Sequence, residues 1–201
     1  MKKLFFLLLI SSSLFSQVKP PADVTFQVVN KESQIVWKGT TMVGSGHDGT
    51  IQLTSGTLVT AGNGKVKGGN FVMNMKSISS LDPKSGKPNK GLEEHLNDDD
   101  FFSTMRFPIA TFNITKVTLG AKPNEYTITG NMTIKGISNV VTFPAVINAD
   151  KDTAKAQATV TINRTLWGIT YKSYNFLAQM KDDLISNDIK LSLNLVFKRS
   201  N

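Results

Sequence analysis

From Tyr126 to Ile134 the chain reads Tyr-Thr-Ile-Thr-Gly-Asn-Met-Thr-Ile, with apolar residues or glycine alternating with Thr and Asn at every step. A repeat of two is the period of an extended strand, whose successive side chains point to opposite faces. One face is therefore apolar and the other wet, as in an antiparallel sheet. Residues 156–163 and 191–195 alternate in the same way. No helical period is sustained over twelve residues anywhere. Thr, Val and Ile supply 48 of the 185 residues after position 16, and such β-branched side chains suit a pleated surface better than a helix. The chain is predicted to be all-β.

Strands are expected near 24–30, 33–42, 49–60, 65–78, 107–119, 125–136, 139–149, 154–163 and 189–199. Breaks rich in Gly, Asn and Pro separate them, among them GSGHDG, AGNGK, LGAKPNE and KGISN. Gly56 falls where the alternation changes phase between Leu53 and Leu58, which predicts a bulge or corner. Asn89 to Asn97 reads as a short helix, and Tyr174 to Leu184 as a weaker one. Eight or nine antiparallel strands leave exposed edges unless the sheet closes, so a barrel is the direct solution and a two-layer sandwich its competitor. Long strands with internal glycines favour the barrel. Its interior is either filled by side chains or holds one small ligand; the pattern leaves both open.

Residues 1–16, MKKLFFLLLISSSLFS, join a basic start to a seven-residue apolar run and a small-residue stretch. They read as a secretory signal peptide cleaved between Ser16 and Gln17; a membrane span would need about 20 apolar residues. The expected location is outside the cytoplasm, periplasmic or secreted, with no transmembrane segment in the mature chain. Removing Lys2 and Lys3 takes the formal charge from +8 to +6. The lysines are scattered, which marks a solvated surface rather than an anion site. No motif supports a nucleic-acid partner. The sequence leaves a homodimer open.

With no cysteine and only His47 and His95, thiolate chemistry and histidine-rich metal sites are excluded. Asp98, Asp99 and Asp100 lack the alternate spacing, glycine and distal Glu of a calcium loop, and read as a turn after the helix. Neither histidine belongs to a nucleophile–base–oxyanion arrangement; each reads as structural, and the chain reads as a binding protein rather than an enzyme. Aromatic placement is more informative. Phe101, Phe102, Phe107 and Phe112 follow the helix closely, and Trp167 and Tyr171 follow the strand that ends at Arg164. Such groups are either core or the lining of an apolar pocket. Strand parity turns Phe71, Phe112, Met132 and Ile134 inward and Thr127, Thr129 and Thr133 outward. An arginine at the end of an apolar strand, as Arg164 is, calls for a carboxylate or an anionic ligand group. Trp167 is expected at the barrel mouth or near a ligand, or else as a core residue closing the barrel end.

The segments EHLNDDDFFSTMRFPIATF (94–112), GNMTIKGISNVVTF (130–143), INRTLWGITY (162–171) and ISNDIKLSLNLVFK (185–198) resemble, in order and spacing, the motifs of the YceI-like family of lipid- and polyisoprenoid-binding proteins. SQIVWKGT, GHDGTIQLTSG and GGNFVMNMKSI extend the resemblance toward the N-terminus. It spans about residues 24–199, read as one domain after the signal peptide (1–16) and a short extension (17–23). The resemblance implies an extended, lipocalin-like antiparallel β-barrel of about eight strands with a short helix near its mouth. It further implies an exported bacterial protein that binds a long-chain lipid, such as an isoprenoid quinone or polyprenyl lipid, with no other cofactor and no metal. The ligand-binding set it suggests is Phe71, Met73, Phe101, Phe102, Phe112, Met132, Ile134, Arg164, Trp167 and Tyr171. The chain departs from the family at Leu166-Trp167, where many members carry an acidic residue followed by Phe; that acidic residue would sit near Arg164. Beside the lipid carrier stands a second reading: a filled barrel acting through its surface as an envelope-stress or partner-binding module.

Overall fold

The computed structural model describes residues 22–82, 85–174 and 184–200. In chain order these form β1 (Val24–Val28), β2 (Gln34–Thr41), β3 (Gly46–Thr60), β4 (Val66–Ser80), helix α1 (Lys90–Asn97), β5 (Ile109–Leu119), β6 (Glu125–Ile134), β7 (Ile137–Ala149), β8 (Thr153–Asn163) and β9 (Ile185–Arg199). The proposed signal peptide and all but the two ends of the weaker helix lie outside the described residues.

The strands close into an antiparallel barrel. β2 pairs with β9, the order runs on through β8, β7, β6, β5 and β4 to β3, and β3 pairs back with β2. β1 also lies between β3 and β9. A 3-10 turn at Asn30–Glu32 separates it from β2, so the two share one position and the barrel has eight staves. Closure gives every described stave a partner on both sides, which answers the edge problem raised by the sequence, although β7 and β8 pair only over Ala145–Ala149 and Ala154–Ala158.

Alternation sets the register as expected. In β6, Tyr126, Ile128, Gly130, Met132 and Ile134 are buried, while Thr127 is exposed and Thr129 and Thr133 are half-buried on the outer face. Thr129 Oγ1 meets Thr142 Oγ1 there at 3.0 Å. Near Gly56 the β3–β4 register shifts between Leu53 and Ser55. A Cβ on Gly56 would stand 2.8 Å from the ring of Phe71, so the glycine gives that ring its place. On the other side of the barrel a Cβ at Gly130 would stand 2.6 Å from the Phe112 ring.

Several boundaries move from their expected places for local reasons. β6 ends at Ile134 and β7 starts at Ile137, because Lys135 (φ 50°) and Gly136 (φ 74°) make a two-residue turn with φ positive at both positions. β5 starts after Pro108, which has no N–H to give; the Phe107 N–H is already bonded to Ser103 O. β9 begins four residues early, at Ile185, because its start pairs with both neighbours, Ile185 opposite Thr41 of β2 and Asp188 opposite Asn163 of β8.

Helix α1 starts where Asn89 accepts a hydrogen bond from the Leu92 N–H at 3.2 Å, the usual role of an N-cap side chain. It is tied to β4 twice. Asn89 N–H donates to Ser80 O at 2.9 Å, and Ser80 N–H donates to the Glu93 carboxylate at 3.0 Å. The helix therefore sits across one end of the barrel, with Leu96 buried beneath it.

Candidate functional site: an apolar cavity with a polar mouth

Under α1 the barrel is hollow. A cavity of about 430 Å³ occupies this end, within the range of small-molecule sites. Its polar lining includes Thr41 at the end of β2, Ser45 in the β2–β3 turn, His95 from α1, Lys172, Ser186 and the buried Arg164. The rest of the lining is mostly apolar. A second cavity of about 80 Å³ lies further down the barrel, and every residue lining it is apolar.

Most of the expected ligand-binding residues come together around these spaces. Phe101, Phe102, Ile134, Arg164 and Tyr171 line the upper cavity. Phe71 and Phe112 line the lower one, and Met73 and Met132 line both. Trp167 departs from the set. It is 1% exposed, lines neither cavity, and donates its indole N–H to Met132 O at 3.1 Å. It is thus a core residue at the barrel end, held by the 3-10 turn Arg164–Trp167 and the left-handed Gly168 that stops it.

The guanidinium of Arg164 is met by main chain: Nε donates to Ser186 O at 3.0 Å, Nη1 to Ile169 O at 2.9 Å and Nη2 to Ile185 O at 3.2 Å, and among the described residues no carboxylate pairs with it. The side chain is 1% exposed, and burial pulls its pKa below the ordinary arginine value. A planar fork of donors suits three carbonyls leaving irregular backbone at different angles. The residue fastens the end of β8 and the start of β9 to the turn after Trp167, and its carbonyl partners account for its burial without the acidic neighbour that position 166 lacks.

Two of the lining residues outside the expected set stand out for their contacts. Trp37 forms part of the upper wall and donates its indole N–H to Ser79 O at 3.1 Å. A Cβ at Gly49 would fall 2.8 Å from that indole nitrogen, so the contact depends on the glycine. Its signal was available: in SQIVWKGT it shares the inward parity of Ile35. His95 is the other. Its ring meets Phe101 and Tyr171 edge-on, with centroids 4.9 and 4.8 Å away, and its Nε2 lies 3.3 Å from the Asp100 carboxylate. These contacts depend on a loop folding back under the helix, which no strand or helix period encodes.

The three adjacent aspartates separate. Asp98 closes α1, its N–H donating to His95 O; Asp99 faces Arg106 at 3.8 Å; Asp100 faces His95. Among the described residues no cluster of three His, Asp or Glu is placed to hold a metal ion, and no helix is long and apolar enough to cross a membrane.

Comparison with known proteins places this geometry. The family model described as YceI-like domain matches residues 26–197. The UPF0312 protein SA2479 of Staphylococcus aureus (strain N315) is 28% identical over 134 residues, covering 63% of this chain and 73% of that protein. Among solved structures, Burkholderia cenocepacia BcnA superposes with a TM-score of 0.68 at 18% identity, covering 84% of this chain and 98% of that one. A polyisoprenoid binding domain from Saccharophagus degradans gives a TM-score of 0.61 at 10% identity, covering 87% and 98%. At these identities the structural likeness speaks for the fold.

Proposed function

The chain belongs to the YceI-like domain family, and from that premise we propose that it binds an amphiphilic lipid with an isoprenoid-type tail inside its barrel and carries or sequesters that lipid in the cell envelope. The observation that carries the reading is the interior itself: a mainly apolar cavity of about 430 Å³ under α1, continued by a second space lined only by apolar side chains. Hydrocarbon entering such a space gains roughly 0.8 kcal/mol for each CH₂ removed from water, so a five-carbon unit contributes roughly 3–4 kcal/mol before association costs. A long tail needs no strong polar anchor. An isoprenoid quinone or a polyprenyl lipid fits these terms, and the polyisoprenoid-binding description of the Saccharophagus degradans domain supports them. The signal-like N-terminus supports export, to the periplasm or beyond.

Trp37 supplies the test, since its ring forms part of the cavity wall. Titration of delipidated protein with solanesol is expected to change tryptophan emission saturably. Trp37→Phe is expected to remove most of that change and Trp167→Phe to retain it. Emission that stays flat in the unmodified protein, together with no solanesol recovered on the protein after gel filtration, would refute the reading.

A further inference from the structure

We propose that the lower cavity, entered past Met73, Met132 and Leu191, is a separate subsite for the far end of the lipid tail, and that its alanine wall sets which tails gain from it. This rests on the lipid-binding reading above. These three residues line both the upper and the lower cavity, so they form the division between them. Two of the three are methionines. An unbranched side chain with three rotatable bonds swings aside more readily than a branched or aromatic one. The division is therefore built from the side chains best suited to open.

The space below exists because the wall there is made small. Ala145, Ala156 and Ala158 all line the lower cavity, and in the β7–β8 register Ala145 stands opposite Ala158 and Ile147 opposite Ala156. Elsewhere around the same level the inward positions hold large rings, including Phe71, Phe112, Phe143 and Phe197. Phe71 and Phe112 are seated over Gly56 and Gly130, which have no side chain to displace them. Phe197 and Leu58, 0% and 1% exposed, lie at the bottom. A space lined only by apolar groups offers water no hydrogen-bond partner and takes hydrocarbon instead.

A short tail is then satisfied in the upper cavity, whereas a longer tail gains further burial by passing the methionines. Chain-length preference is set at the alanine wall, not at the mouth. The test compares farnesol with solanesol, each delivered from cyclodextrin, on the unmodified protein and on Ala158→Leu, with Ala156→Leu as a second variant should the first fail to fold. Filling the lower cavity is expected to lower the ratio of solanesol affinity to farnesol affinity at least about tenfold. An unchanged ratio in either folded variant would overturn the inference and leave the lipid-binding reading standing. Binding of neither alcohol by the unmodified protein would overturn both.

Discussion

Arg164 shows how much a single residue conveys in sequence and where that stops. Its position after the alternating run 156–163 marks an arginine drawn into apolar surroundings, and it is buried. Its partners were not legible, because carbonyls of residues 169, 185 and 186 become available only once the barrel end has folded. Removing the guanidinium leaves those carbonyls buried and unsatisfied. Arg164→Gln is therefore expected to lower unfolding free energy by about 2–4 kcal/mol in urea titrations. Arg164→Lys is expected to recover little of it, since one ammonium cannot reach three diverging acceptors. Stability equal to the unmodified protein in either variant would show that the three bonds are not needed. Trp37 and Trp167 make the complementary point. Shared parity with Ile35 could have turned the first inward, while the choice between mouth and core for the second turned on a carbonyl of β6 that no local pattern encodes.

At the scale of elements, the strands follow from alternation, and their ends from turn chemistry. The Lys135–Gly136 turn was foreshadowed by its glycine, yet the strand edges beside it moved because Lys135 also adopts positive φ. Helix α1 was legible from its sequence, but its attachment was not. That attachment runs through Glu93, whose pKa is held below the usual carboxylate range by Lys90, at 2.7 Å, and by the Ser80 N–H. A carboxyl with a depressed folded pKa adds stability above its unfolded pKa, and this is lost as pH falls through the folded value. Acidification below the ordinary carboxylate range is thus expected to loosen α1 from β4. Protection factors of the α1 amides, which correct for the intrinsic slowing of exchange by acid, should fall on acidification of the unmodified protein. In Glu93→Gln they should be low already at neutral pH and respond less to acid. An equal acid response in both would remove Glu93 from this role.

For the whole molecule, eight staves closed on themselves follow from many alternating strands and the need to hide edges. Whether the barrel is hollow did not follow. Filled and hollow barrels share the same inward parity, and the difference lies in which side chains meet across the interior. Ala145, Ala156 and Ala158 come together only through the β7–β8 register, while Phe101, Tyr171 and His95 converge only because the segments after α1 and after the 3-10 turn Arg164–Trp167 fold toward each other. On the lipid-binding proposal, the cavity under α1 is the container. The measurement that tests this most directly is native mass spectrometry of the protein purified from a bacterial envelope without detergent. The account predicts a population heavier than the bare chain by the mass of an isoprenoid lipid, which collisional activation releases intact. A single species at the mass of the bare chain, from cells shown to contain such lipids, would contradict it.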